Sequence, residues 1–219
     1  MNKAICMVAA IVWLAACGSK TDANEKNFGA AISQYLDRKG SLCLGVDAWP
    51  ADVTEFDLRT QNSSPTGKAE RMAALESLGL VRGTDTELQQ KSQFGGSPRT
   101  ERVRRYVLTD AAKPFEQHRT IERSGWDGRT QETRTDLCWG RMRLDKVVKW
   151  EGPMKFGDYQ AARVTYHYRI EDLAGWVADP RIRKAFPQTA AIMEGAGRKE
   201  SAHGVKLTSE GWESTLLND

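Results

Sequence analysis

The sequence has little of the chemistry on which recognisable enzyme motifs depend. It contains three histidines, His118, His167 and His203, and none has a second metal-ligating residue at ligand spacing. Gly-x-Ser-x-Gly, a glycine-rich phosphate loop with Lys, and His-Glu-x-x-His are all missing. These absences exclude the motif-defined hydrolases, nucleotide-binding enzymes and zinc peptidases. We therefore predict no catalytic residue, no metal site and no cofactor.

Long apolar runs are also scarce, and the one at the start of the chain is short. Lys3 precedes an uncharged, largely apolar stretch from residue 4 to residue 16. A helix needs about twenty apolar residues to cross a bilayer. A positive start, a short apolar run and small residues at its end are typical of a secretory signal. Residues 1–16 are therefore predicted to be a signal peptide that is removed.

The end of this stretch, Leu14-Ala15-Ala16-Cys17, resembles the lipobox of bacterial lipoproteins. The resemblance implies a diacylglyceryl group on the Cys17 sulfur, cleavage before Cys17 and acylation of the new amino terminus. The family often uses Asp after the cysteine for retention in the inner membrane, and this chain has Gly18 there. We expect a lipid-anchored protein of the cell envelope, at the outer membrane and facing the periplasm.

The mature charge is nearly balanced, which limits the partners that electrostatics alone would attract. Loss of Lys3 from the 32 Lys and Arg residues leaves 31 against 29 Asp and Glu. Such a balance argues against strong electrostatic capture of anionic lipid or of nucleic acid, and no nucleic-acid partner is expected. The expected partners are the membrane, through the lipid, and an envelope protein or small ligand. Residues 17–24 are small and polar and predict a lipidated tether of at most about 25 Å.

Four cysteines are present, and two of them remain for the folded part. Cys6 leaves with the signal peptide and Cys17 takes the lipid, so Cys43 and Cys138 are expected to form a disulfide in an oxidising compartment. A pair of metal-binding thiolates is the alternative, but no further ligand is near in sequence. Both cysteines stand in a Leu-Cys-x-Gly segment, which we interpret as two strand edges joined by the disulfide.

The fold class expected is α+β, with a helical part at residues 25–130 and an antiparallel part at residues 131–219. Asn24 is a plausible N-cap for a helix that runs to Lys39, with apolar residues at helical spacing. The polar stretch after Pro114 is the candidate boundary. Alternating residues at 142–150 and 163–170 then predict two paired strands, with Val148 and Trp150 on the buried face. Helices at 171–193 and a last strand through Val205 follow.

Within the first part, residues 66–115 resemble the second half of a winged-helix domain. A helix ends at Leu78-Gly79, and a polar, glycine-rich loop leads to the strand segment Tyr106-Val107-Leu108-Thr109. The resemblance implies a β-hairpin whose tip is formed by residues 94–98. Possible partner-binding residues are the hairpin arginines and a tryptophan in a polar turn: Arg99, Arg102, Arg104 and Trp126.

These features favour a non-catalytic binding module anchored in the cell envelope. Two alternatives stay open. One is a protective or inhibitory envelope protein of the immunity or resistance type, for which a small disulfide-closed domain is suitable. The other is an envelope enzyme of unrecognised type, because a catalytic site assembled from scattered residues leaves no trace in sequence.

Overall fold

The computed structural model describes residues 19–90, 99–125 and 128–217, without the side chains of residues 90, 99 and 123–125. The helices are α1 (Glu25–Lys39), α2 (Glu55–Arg59), α3 (Lys68–Ser77), α4 (Pro180–Ala185) and α5 (Pro187–Gly195). The strands are β1 (Ser41–Cys43), β2 (Ala51–Thr54), β3 (Val81–Gln90), β4 (Arg99–Leu108), β5 (Glu116–Gly125), β6 (Gly128–Phe156), β7 (Tyr159–Glu171), β8 (Ser201–Thr208) and β9 (Gly211–Ser214). Short 3₁₀ turns lie at Gln61–Ser63, Asp110–Phe115 and Gly175–Ala178.

The strands form two antiparallel sheets, and the predicted α+β class is confirmed. The large sheet has the order β1-β6-β7-β8-β9, and β5 pairs with the first half of β6. The small sheet has the order β2-β4-β3. Together with α2 and α3, the small sheet forms a unit that we call the hairpin lobe (residues 51–108). In the hairpin lobe, helix α3 precedes the hairpin of β3 and β4, which is the order that the sequence predicts.

Helix α1 begins and ends where the sequence predicts. The side chain of Asn24 accepts a hydrogen bond from the Asn27 backbone N–H (2.9 Å), and the basic residues Arg38 and Lys39 occupy the last turn. Its apolar stripe, including Phe28 and Ile32, packs on one face of the large sheet. This packing forms one of the two hydrophobic clusters.

The predicted alternation holds along β7 but is broken along β6. Val164, Tyr166 and Tyr168 of β7 are buried against α1, as expected. In β6, bulges shift the register between Leu144 and Lys146 and again after Val147. Val147 therefore packs in the α1 cluster, and the prediction that Val148 lies on the buried face is wrong. The prediction for Trp150 is confirmed, because Trp150 is the cross-strand partner of the buried Val164 and its ring centroid lies 5.5 Å from that of Phe28 in α1, with 38% of the residue still exposed.

The polar stretch proposed as a boundary is a paired ribbon. Strands β5 and β6 pair continuously from Glu116 with Leu137 to Gly125 with Gly128. The expected division at residue 130 falls inside β6. One hydrophobic cluster contains residues from both sides of it, including Leu75 of α3, Trp139 of β6 and Ile182 of α4. The two expected parts therefore share a core.

The predicted disulfide joins Cys43 of β1 to Cys138 of β6 and closes a separation of 95 residues. The two cysteines are direct cross-strand partners, so the two Leu-Cys-x-Gly segments meet as the sequence predicts. Beside the disulfide, the buried carboxylate of Asp136 accepts hydrogen bonds from the backbone N–H groups of Gly45 (3.0 Å), Val46 (3.2 Å) and Leu137 (2.8 Å). Burial raises the pKa of Asp136, and the three backbone donors act in the opposite direction.

The chain between β1 and β2 is fastened to the β5–β6 ribbon. The carboxylate of Asp47 accepts hydrogen bonds from Arg119 and Arg134, whose guanidinium groups lower its pKa. The indole N–H of Trp49 donates to the backbone carbonyls of Val46 (3.1 Å) and Thr135 (2.9 Å). These contacts fix how the hairpin lobe leaves the large sheet.

Replacement of both cysteines, Cys43→Ser with Cys138→Ser, is expected to reduce the free energy of unfolding by about 4–5 kcal/mol, because the unfolded chain regains the entropy of a long loop. Urea unfolding of the oxidised protein and the double variant measures the difference. Reductant should lower the midpoint of the wild type and leave the double variant unchanged. Equal midpoints for the oxidised wild type and the variant would contradict this expectation.

Asp136→Ala is expected to cost about 2–4 kcal/mol, because it removes the acceptor for three backbone donors in a buried place. Asp136→Asn keeps a carbonyl oxygen in the same position and should cost less. Thermal and urea unfolding of the two variants provide the comparison. Equal stabilities for wild type and Asp136→Ala would show that water replaces the carboxylate without loss.

Candidate functional site

The structure leaves several predicted site residues undescribed. Cys17 and Trp126 lie outside the described residues, and the side chain of Arg99 is not described. The expected hairpin tip at residues 94–98 is outside them as well. Of the predicted partner-binding set, Arg102 and Arg104 can be placed.

Arg104 is occupied by contacts within its own lobe. Its guanidinium donates to the Glu76 carboxylate of α3 (3.0 and 3.3 Å), to Asp85 (3.3 Å) and to the Tyr106 hydroxyl (3.1 Å). The Tyr106 hydrogen bond and the Glu76 carboxylate raise the pKa of Arg104. The neighbouring Arg105 forms a two-pronged pair with Asp52 (2.7 and 2.8 Å), which lowers the pKa of that carboxyl. Both arginines therefore stabilise the lobe.

Arg102 is the predicted arginine that remains available. Its side chain is 77% exposed, and its Nε atom lies 3.8 Å from a Glu87 carboxylate oxygen. It contributes to a cleft of about 570 Å³ between α2 and the base of the hairpin. We call this the α2 cleft. It is lined by Glu55, Leu58, Asp85, Thr86, Glu87, Arg102, Val103 and Arg104.

The α2 cleft combines apolar and acidic groups. Leu58 projects from α2 and is 45% exposed, and its neighbour Phe56 is 65% exposed. The lining of the cleft contains three carboxylates and two guanidinium groups, so negative charge is in excess. The excess is larger in effect because one guanidinium, that of Arg104, also forms an ion pair with Glu76 outside the cleft. Exposed large apolar side chains beside unbalanced charge are a feature of interaction surfaces. The arrangement suits a segment with an apolar side chain next to a basic one.

Helix α2 was not predicted from sequence, although a signal for it exists. The Thr54 hydroxyl accepts a hydrogen bond from the Asp57 backbone N–H (3.2 Å), and the Asp57 carboxylate accepts one from the Thr54 backbone N–H (2.9 Å). This is a capping box, and Thr54-x-x-Asp57 is its sequence pattern. The capping box stabilises the short helix α2, whose apolar residues Phe56 and Leu58 are exposed.

The segment predicted to be a tether is bound to the body of the protein. The Asn27 side chain donates to the backbone carbonyls of Ser19 (2.8 Å) and Asp22 (2.9 Å). The indole N–H of Trp212 in β9 donates to the carbonyls of Thr21 and Asp22 (both 3.2 Å). Residues 19–24 therefore lie against the body of the protein, and the role of residues 17–24 as a lipidated tether stays a prediction.

A second exposed apolar group lies at the turn between β6 and β7. Met154 and Phe156 of β6 are 59% and 67% exposed, and Tyr159 of β7 is 48% exposed. Phe156 pairs with Tyr159, and Met154 pairs with Ala161. Direct partners and alternate residues of antiparallel strands share a face. The three side chains therefore share the face opposite α1, and we call them the tip patch. The tip patch was not predicted, because residues 151–158 were expected only to separate two strands.

Basic side chains continue along that face behind the tip patch. Lys146, Lys149 and Arg163 are exposed and have no ion-pair partner among residues 19–90, 99–125 and 128–217. Lys146 is the cross-strand partner of His167, whose Nδ1 atom is buried and has no hydrogen-bond partner within the same residues. We call the three basic residues the basic rows.

The histidines form no arrangement that indicates catalysis. The Nδ1 atom of His118 lies 2.8 Å from the Thr135 hydroxyl, and its Nε2 atom lies 3.6 Å from a Glu116 carboxylate oxygen. The pairing of β5 with β6 explains the first contact, because His118 and Thr135 are cross-strand partners. His203 is hydrogen bonded to the Tyr166 hydroxyl beneath α1 (2.8 Å), and burial lowers its pKa. In the described part of the chain, no group of three His, Cys, Asp or Glu side chains is placed to hold a metal ion.

None of the helices within the described residues is both long and apolar enough to cross a bilayer.

Comparison with known proteins adds no relative on which the site can be mapped. No protein-family model matches the chain, and no curated protein and no solved structure matches it. The geometry of this chain is therefore the basis for a function.

Proposed function

We propose that the protein is a lipid-anchored, non-catalytic binding module of the bacterial cell envelope, which holds a partner protein in the α2 cleft. The observation that carries the proposal is the α2 cleft, where Leu58 is exposed beside an excess of carboxylates. The partner segment has a large apolar side chain for Leu58 and Val103, flanked by Lys or Arg.

The energetics of such a contact agree with the composition of the cleft. Burial of one large apolar side chain contributes about 1.5–3 kcal/mol. Glu55 has no ion-pair partner among residues 19–90, 99–125 and 128–217, so a basic group on the partner gains a new pair. Opposite charges at the rim mainly raise the association rate and the specificity.

The anchor in this proposal is a diacylglyceryl group on Cys17. Stable attachment to a bilayer requires more than one acyl chain, and a lipidated and acylated cysteine supplies them. The exported location agrees with the Cys43–Cys138 disulfide, since disulfides persist in oxidising compartments.

Cys17→Ser is expected to abolish incorporation of labelled palmitate and to move the protein from the membrane fraction to the soluble periplasmic fraction. Labelling followed by fractionation and immunoblotting provides the measurement. Cys6→Ser is the matched control, because that residue belongs to the expected signal peptide and should leave labelling intact. A wild-type protein without label would overturn the anchor.

A photo-crosslinking amino acid at position 86 or position 102 is expected to give one adduct of the same mass in living cells, because Thr86 and Arg102 both line the α2 cleft. Lys113, whose side chain is 70% exposed outside the cleft, is the control position and should give none. Leu58→Asp should remove the adduct formed from position 86. Adducts that are equally strong at position 113, or that survive Leu58→Asp, would sink the proposal.

The charge of the cleft gives an independent check once the cross-linked partner is identified. Glu55→Lys is expected to weaken its binding severalfold at low salt and less at high salt, because exposed charges are screened. Glu25→Lys, an exposed change of the same charge on α1, should leave the affinity unchanged. Surface plasmon resonance at two salt concentrations measures both variants.

A further inference from the structure

We infer that the tip patch and the basic rows form a membrane-contact surface that lies on a bilayer with anionic headgroups. This inference rests on the proposed lipidation of Cys17 and adds which face of the protein meets the membrane. Three features support it: the position of the N-terminal segment, the exposed apolar side chains and the basic residues without ion-pair partners among residues 19–90, 99–125 and 128–217.

The N-terminal segment and the tip patch lie at the same end of the large sheet. Trp212 of β9 holds residues 21 and 22, and the Lys20 carbonyl oxygen lies 3.1 Å from where a side chain on Gly211 would begin. Strand β8 pairs with β7 up to Lys206 opposite Ala161, so the β8–β9 turn lies level with the β6–β7 turn. Neighbouring strands are about 4.8 Å apart, which places β9 within about 15 Å of the tip.

Cys17 is two residues from the bound segment, so a lipid on Cys17 would be attached within reach of this end of the protein. Two residues span at most about 7 Å. A lipid on Cys17 therefore brings a bilayer to the end of the sheet that carries Met154, Phe156 and Tyr159. Aromatic side chains are enriched at the level of the headgroups, where an apolar ring and a polar hydroxyl are both accommodated.

The charges determine how the sheet approaches the bilayer. Asp158 lies in the β6–β7 turn, so an end-on approach would push a carboxylate into the interface. An approach by the face opposite α1 keeps Asp158 out of the interface and directs Lys149 and Arg163 at lipid phosphates. Glu151, the cross-strand partner of Arg163, shares this face, and Lys146, Lys149 and Arg163 outnumber it. An anionic surface attracts this excess of basic residues. The tip patch and the basic rows thus act on one surface.

The test uses the full-length lipidated protein in vesicles of phosphatidylcholine that contain about a third phosphatidylglycerol. Phosphatidylglycerol is anionic and therefore attracts the basic residues. An environment-sensitive fluorophore is attached to the cysteine introduced by Phe156→Cys. The label is directed to position 156, because Cys17 is the proposed lipid carrier and Cys43 and Cys138 form a disulfide. We expect a blue-shifted emission, quenching by spin-labelled lipid and at least threefold protection from iodide. Phe56→Cys with the same fluorophore is the matched control and should be quenched by iodide alone.

Flotation of the vesicles is measured on the same samples, so that two failures are distinguished. A protein that does not float is not anchored, which overturns the proposed lipidation. A protein that floats, but whose label at position 156 behaves like that at position 56, is anchored without using this face, and the inference is wrong.

The basic rows are tested with lipids of different charge. Lys146→Gln combined with Lys149→Gln and Arg163→Gln should reduce quenching of the label at position 156 at least twofold in the anionic vesicles. The same triple change should have no effect in vesicles of phosphatidylcholine alone. A loss of quenching in both kinds of vesicle would show that the triple change damages the sheet itself. No loss in either kind would show that the basic rows do not contribute to the membrane contact.

Discussion

The junction between β1 and β6 is the constraint on which both ends of the molecule depend. The Cys43–Cys138 disulfide joins the two strands covalently, and the Asp136 carboxylate binds the backbone just beyond β1. The chain leaves the large sheet there and enters the hairpin lobe, so an error in register at this point would displace the α2 cleft. The same strand β6 continues from the junction to the tip patch. One strand therefore connects the two surfaces to which we assign binding.

Strand β6 also separates those surfaces. From Cys138 to Phe156 an extended strand spans up to about 60 Å, less where bulges bend it. The bulges have a second effect, since they return apolar residues such as Val147 to the α1 cluster while Met154 and Phe156 end on the opposite face. A regular strand of this length would hold one alternation throughout. The break in the pattern is what allows one strand to serve a core and an exposed patch.

Sequence patterns identified the parts whose structure depends on burial or on local capping. Helix α1 has a cap and an apolar stripe, and β7 alternates without interruption, so both were predicted. The ribbon of β5 and the start of β6 was missed because its side chains are mostly polar and cross-strand pairing, not burial, stabilises it. The α2 cleft and the tip patch were missed for a related reason: Leu58 and Phe156 are exposed, and which exposed residues become neighbours depends on tertiary structure.

The binding of residues 19–24 to the body changes what an anchor at Cys17 does. A protein on a long flexible tether samples every orientation above a membrane and must lose that freedom each time it meets a partner. Here the hydrogen bonds from Asn27 and Trp212 remove most of that freedom when the chain folds. In the proposed anchored protein, the hairpin lobe would then be presented at a nearly constant height and angle. Encounters with another envelope component would become a two-dimensional search at high effective concentration, so that even a small contact area would give a long-lived complex.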